Sequence, residues 1–258
     1  MKKIYLLLLA FCFVLNSFSQ SVNIVNGDTI NKTDSKNLKQ GYWEETNNNI
    51  LARGYYVNDK MDGIWVTYSQ KGMLNKVESF KNGLKNGISI SIDDNGYYKG
   101  ESNYKNDVLN GPQKTYAIGG RLLNEINYKN GKLNGFKKTY YENNNIIQEE
   151  AFYLNGERDG ISKWYDLEGK LVAEYNYKNG KFEGANKSYY TSGNVQAEEF
   201  YVNNIQTGDY KEYFDSSPAK IKISGTYSNW NKTGKWLEYD ENGTVIKTLT
   251  YINGVEKK

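Results

Sequence analysis

The chain of 258 residues has no histidine, a single cysteine and a hydrophobic content of only 38%. Each shortage excludes something. Without histidine, the commonest general base and the commonest transition-metal ligand are both missing. The one cysteine, Cys12, lies in an N-terminal apolar run, so the body of the chain must hold by packing and not by a disulfide. Few Ile, Leu and Val remain to build a thick globular core. The 24 tyrosines must therefore supply much of the buried area. Excess charge is scarce too. The formal net charge of +3 gives no support for nucleic acid or an anionic membrane as the main partner.

The N-terminus reads as a secretion signal. Lys2 and Lys3 form a charged start, Ile4 to Leu15 is almost unbroken apolar sequence, and Ser17-Phe18-Ser19 offers a small-x-small cleavage pattern. Cleavage after Ser19 would leave Gln20 as the first residue and lower the charge to +1. An uncleaved anchor is the alternative, but the run is shorter than the roughly 20 residues of an ordinary span. Lipid attachment at Cys12 is disfavoured by the bulky Phe11 before it. The expected organisation is a signal peptide over 1–19, a polar linker over 20–36 and a repeat array over 37–258. The mature chain should carry no transmembrane segment and should be exported to the periplasm, the cell surface or the medium.

What is present is a repeat. Glycines recur at Gly41, Gly63, Gly87, Gly111, Gly135, Gly160, Gly184, Gly208 and Gly234, in steps of 22 to 26 residues. Five residues before each later glycine stands an asparagine, from Asn58 to Asn229, and two residues before that an aromatic, from Tyr56 to Tyr227. A period in the twenties sustained this far marks a repeat array. Such arrays present extended binding surfaces and seldom a single catalytic pocket.

Within one unit, Phe136 to Tyr141 is rich in β-forming residues, Glu142 to Asn145 is turn-forming, and Ile146 to Tyr153 is a second strand. Asn130-Gly131 and Asn179-Gly180 are hairpin signals, since both residues tolerate the positive φ of a type I′ turn. The expected fold is all-β: an antiparallel meander of about eighteen strands, about 85 Å long at ~4.8 Å per strand. Helical patterning is absent, the leucine-rich frame is absent, and the units are too short for four-stranded propeller blades.

Alternation places Ile64, Ile88, Phe136 and Ile161 on one face with Tyr68, Ile92, Tyr140 and Tyr165. Counted the same way, Leu122 with Tyr128 and Leu171 with Tyr177 join them. The expectation is one continuous apolar ladder serving as the core, with a ligand-stacking platform as the alternative. Lys114, Lys138, Lys163, Lys187 and Lys211 stand three after their glycines, on the face of Tyr116, Tyr140, Tyr165, Tyr189 and Tyr213. These ten residues are the candidate partner-binding set. The lysines could grip an acidic partner, or their stems could merely cover tyrosine rings. An acidic row, Glu101, Glu125, Glu150, Glu174 and Glu198, is assigned by the same counting to the opposite face. It could bind calcium or act as a glycosidase pair, but a row repeated in every middle unit reads more simply as a solvated guard against sheet stacking. Trp43, Trp65 and Trp236, each two after its glycine, are expected to cap the array's ends or to stack on sugars. Gly63, Gly87, Gly111, Gly135, Gly160, Gly184, Gly208 and Gly234 are read as structural.

Tyr128-Lys129-Asn130-Gly131-Lys132-Leu133-Asn134-Gly135 and Tyr177-Lys178-Asn179-Gly180-Lys181-Phe182-Glu183-Gly184 carry a frame that resembles the MORN repeat. More narrowly it is similar to the bacterial variant in YwqK-type antitoxin-like proteins. The resemblance runs over about residues 37–254 and departs at Trp230, where a turn glycine is expected, and at Ser216-Ser217-Pro218, which lengthens its unit. It implies a single-layer sheet of hairpins acting as an interaction or scaffold element. The implied function is an exported, monomeric, non-enzymatic binding protein without cofactor or metal, its partner a protein or a cell-envelope polysaccharide. An antitoxin or immunity protein that masks a toxin is the alternative, and a glycan hydrolase is a third reading disfavoured by the missing histidine.

Overall fold

The structure, a computed structural model, describes residues 23–25 and 28–257, and the signal-peptide reading lies outside them. It is all-β. Strands follow one another as an antiparallel meander in which each pairs with its sequence neighbours. The middle of the array shows the pattern: strands Val108–Tyr116, Leu122–Lys129, Lys132–Tyr140, Ile147–Leu154, Glu157–Tyr165 and Leu171–Lys178 pair in that order. A ring would need residue pairs between the two outermost strands. Among the described residues Val255–Lys257 pairs with Val245–Ile252, Lys32–Thr33 pairs with Lys39–Gln40, and no register joins the two ends, so the sheet is open. Within 20–36, the segment read as a linker, Asn23–Val25 pairs with Asp28–Ile30, and Ile30 is buried.

The turns form for the reason the sequence gives. Asn130 and Gly131 sit at φ 50° and 77°, and Asn179 and Gly180 at 49° and 75°, both in the left-handed region a type I′ turn requires. Trp230 takes the glycine position at φ 68°, so the departing unit keeps its turn by holding a bulky residue in a strained conformation. At the opposite ends of the hairpins, Asp93, Asp166 and Asp240 cap tight turns. The Asp93 carboxylate accepts the N–H groups of Asn95 and Tyr97, and Asp166 and Asp240 do the same for their own turns. The lengthened unit closes its loop by a bond from Phe214 N to Lys220 O across Ser216-Ser217-Pro218.

Gly184 and Gly208 begin strands, as the sequence suggests, but the other seven repeat glycines lie within them. Tyr128 stands opposite Leu133 and Ile126 opposite Lys137, so the strand Lys132–Tyr140 carries a bulge at Gly135. From Gly63 to Gly234 these eight glycines have φ between 68° and 112°, where a side chain is strained.

Candidate functional site

Residues directly opposite on neighbouring strands share a face, which fixes the two faces without counting through turns. Lys138 stands opposite Glu125 on one side and Glu150 on the other. The same holds for Lys163 between Glu150 and Glu174, and for Lys187 between Glu174 and Glu198. Lys114 lies between Glu101 and Glu125, and Lys211 opposite Glu198. The acidic row is therefore on the lysine face, contrary to the sequence expectation. A parity count carried from one strand to the next ignores the bulges, such as the register shift between Thr139 and Tyr140.

The result is one alternating ladder of ten charges, from Glu101 to Lys211, running perpendicular to the strands. Ion pairs close along it: Lys114 to Glu125 at 3.6 Å, Lys138 to Glu150 at 3.0 Å, Lys163 to Glu174 at 3.1 Å and Lys187 to Glu198 at 2.9 Å. The Tyr189 hydroxyl donates to Glu174 at 2.8 Å, and that of Tyr213 to Glu198 at 2.9 Å. Burial pushes the Glu174 carboxyl up, but the Tyr189 hydroxyl and the Lys163 ammonium outweigh it, and it titrates below the ordinary carboxylate value. The Lys187 ammonium draws Glu198 down in the same way, against burial and with help from Tyr213. Burial, then the bond to Glu198, pushes the Tyr213 hydroxyl up to about 12. Burial also raises Tyr140 and Tyr165. Tyr116 packs its ring on Tyr98 at 5.1 Å. The ten candidate residues thus do share a face, but Lys114, Lys138, Lys163 and Lys187 are paired in place, and the row alternates in sign and forms no basic line.

Beside this ladder on the charged face runs an exposed apolar stripe. Ile64 is 53% exposed, Phe136 48% and Ile161 47%. Phe136 stands opposite Phe152, and Ala185 opposite Phe200, which is also exposed. These residues were expected to be core. They are not, because a single-layer sheet has nothing over this face: every substantial strand contact is with a neighbour in the meander.

The core is on the other face. Tyr56 pairs with Gly41, Tyr153 with Gly135 and Tyr177 with Gly160, so the second-strand tyrosines point away from the ladder. Trp65 and Trp236 are 2% and 4% exposed. Each indole lies flat over a glycine: a Cβ on Gly54 would fall 2.3 Å from the Trp65 ring, and one on Gly225 would fall 2.2 Å from that of Trp236. They are core residues, neither end caps nor sugar platforms. In the middle units Ala151, Ser162 and Ala173 fill the equivalent space and are buried. The bracket of basic residues two before the glycines was missed in the sequence. Arg158 lies over Tyr153, Trp164 and Tyr177 at 5.8, 5.2 and 5.2 Å and pairs with Glu149. Lys39 covers Trp43 and Tyr56, Lys85 covers Tyr104, and Lys232 covers Trp236 at 4.1 Å. Their spacing was a legible signal, since Lys39, Lys85, Arg158 and Lys232 share one register. The cation–π contacts expected of the lysine row are made by this other row.

Among the described residues no cluster of His, Cys, Asp or Glu is placed to hold a metal, and no helix is long and apolar enough to cross a membrane. No curated protein matches the chain. Among solved structures, a porin-like protein from Bacteroides uniformis is similar at 11% identity, over 83% of this chain and 91% of that one. Its TM-score of 0.19 is too low to carry an argument about fold or function. Residues 158–179, 182–203 and 232–253 match the family model described as a MORN repeat variant. These stretches run from strand to strand in the same meander as their unmatched neighbours, and together they cover less than half of the chain.

Proposed function

We propose that this is an exported, non-enzymatic MORN-repeat protein that presents its Tyr-, Lys- and Glu-lined face to a protein or to an envelope polysaccharide. The alternating ladder carries this reading. It is continuous over ten strands, so a ligand meets a long repeated surface and no single cleft. The same observation argues against hydrolysis. A glycosidase acid must hold its proton near neutral pH, whereas Glu174 and Glu198 are pulled down by flanking lysines. Export rests on the N-terminal sequence pattern.

Crosslinked capture from the envelope by the tagged chain tests this function. Recovery of one protein or polysaccharide with the wild type, reduced by Tyr189→Ala and Tyr213→Ala together, is the expected result. Capture of a toxin would favour the antitoxin-type reading that the resemblance implies. Turnover of a glycan, lost on changing a single ladder glutamate, would overturn the non-enzymatic reading.

A further inference from the structure

The charged face has a symmetry that a single-sign row lacks. A row of lysines on every strand would repel a second copy of itself. An alternating row attracts one, provided the two are offset by an odd number of strands. We propose that the first partner of this face is a second copy of the chain, stacked face to face about a twofold axis parallel to the strands.

The register follows from the ladder alone. It has ten rungs, from Glu101 to Lys211, and its midpoint falls between Glu150 and Lys163. A twofold axis at that midpoint turns the copy over and reverses its strand order. Glu150 then faces Lys163 of the other copy, Lys138 faces Glu174, and Glu125 faces Lys187. Every remaining rung also meets its opposite. Moving the axis onto a rung puts lysine over lysine and glutamate over glutamate, so the pattern rejects those registers, and among the axes between rungs only the central one pairs all ten.

The exposed stripe supplies a second, independent reason. A rotation about the strand direction leaves position along the strand unchanged, so the stripe lies over the stripe as the ladder lies over the ladder. In this register Phe152 covers Ile161, and the exposed Phe200 covers Pro112. Burying this row gives the association an apolar driving force that the ion pairs alone would not supply. Sheet twist concentrates the contact at the central rungs, with the two strand directions inclined as in aligned sheet packings. The indole face offers no such surface, since Lys39, Lys85, Arg158 and Lys232 of the same chain already cover its rings.

This inference rests on the same face as the proposed function and replaces the expectation of a monomer. Its test is sedimentation equilibrium of the full chain. The wild type should run at twice the chain mass and dissociate as salt rises. Lys138→Glu should weaken the dimer by more than about tenfold, since it sets Glu over Glu174. Adding Glu174→Lys should restore it. Positions 138 and 174 are three strands apart within one chain, so the double change repairs the contact between copies but breaks more ion pairs inside each copy. A dimer that recovers while the melting temperature falls further is a result that intrachain pairing alone would not give. Phe136→Ser, at an exposed site, should weaken the dimer and leave the fold intact, and it serves if Lys138→Glu does not fold.

A wild type that is monomeric at every concentration overturns the proposal, as does a double variant no more dimeric than Lys138→Glu. Envelope capture by a strictly monomeric chain would leave the proposed function standing and remove only this inference. A dimer that captures nothing would do the reverse.

Discussion

On one face of this sheet, Trp65 and Trp236 lie over glycines, and Arg158 sits among three rings with its own carboxylate partner. On the other, ten charges alternate beside an exposed apolar stripe. Both faces are built from the same strands, and each is periodic. They differ in what holds the side chains: shape on the indole face, charge on the ladder face. Packing energy scales with buried area, whereas half-exposed ion pairs contribute about 0–1 kcal/mol each. Stability should therefore reside on the indole face and recognition on the ladder face.

The sharpest way to break this contrast is Trp236→Ala. Emptying a buried indole site should cost about 3–5 kcal/mol, read as a shift in denaturant midpoint. A loss no larger than that of a ladder residue would show that the face is not the core. Next in size is Gly225→Ala, whose new methyl has no room beneath Trp236 and should cost about 1–3 kcal/mol. Combining it with Trp236→Leu should recover part of that loss.

Turn strain comes third. Gly131→Val, at φ 77°, should cost at least about 1–2 kcal/mol, and Trp230→Gly should stabilise by about as much. Equal midpoints for wild type and Trp230→Gly would mean that the bulky ring regains by packing what the backbone loses.

The smallest effects belong to the ladder. Lys163→Ala should cost about 0.2–1 kcal/mol, and the loss should shrink with added salt. The pH dependence has a fixed sign. Glu174 and Glu198 are held below their unfolded value, so their contribution is present above about pH 4.3 and is lost as pH falls through their folded values. Tyr213 is raised to about 12, so its contribution is present below about pH 10 and is lost as pH rises through 12. Melts of Tyr213→Phe should therefore fall below wild type through the neutral range, and the difference should shrink as Glu198 protonates in acid and as Tyr213 ionises in alkali. A difference confined to the acid or alkaline extreme would mean that other groups control the face.

The fold was legible because its signals are local. Asn130-Gly131 announces a turn through the conformations these residues tolerate, and its recurrence gives the meander topology, although the sheet has 22 strands where about eighteen were expected. Face assignment was less legible. The bulges at Gly135 and near Tyr140 insert residues that a period-two count treats as ordinary, and Glu150 was thereby sent to the wrong side. Trp65 was misread for a different reason. A tryptophan in a repeat of tyrosines looks like an exception, and only the space over Gly54 shows it to be a fitted pair. That glycine was visible in the sequence, off the register of the other repeat glycines, and was the available clue.

The Asn-Gly turns also reach backwards. The N–H of Gly131 donates to the carbonyl of Leu109, that of Gly156 to Leu133, that of Gly180 to Arg158 and that of Trp230 to Gln206. Each of these hairpin tips is thus fastened to a carbonyl one unit nearer the N-terminus. A chain emerging N-terminus first, from a ribosome or through a membrane channel, always has the acceptor for its next turn already in place. The array can then build like a zip, each unit locked by the one before it, without waiting for the C-terminus to arrive.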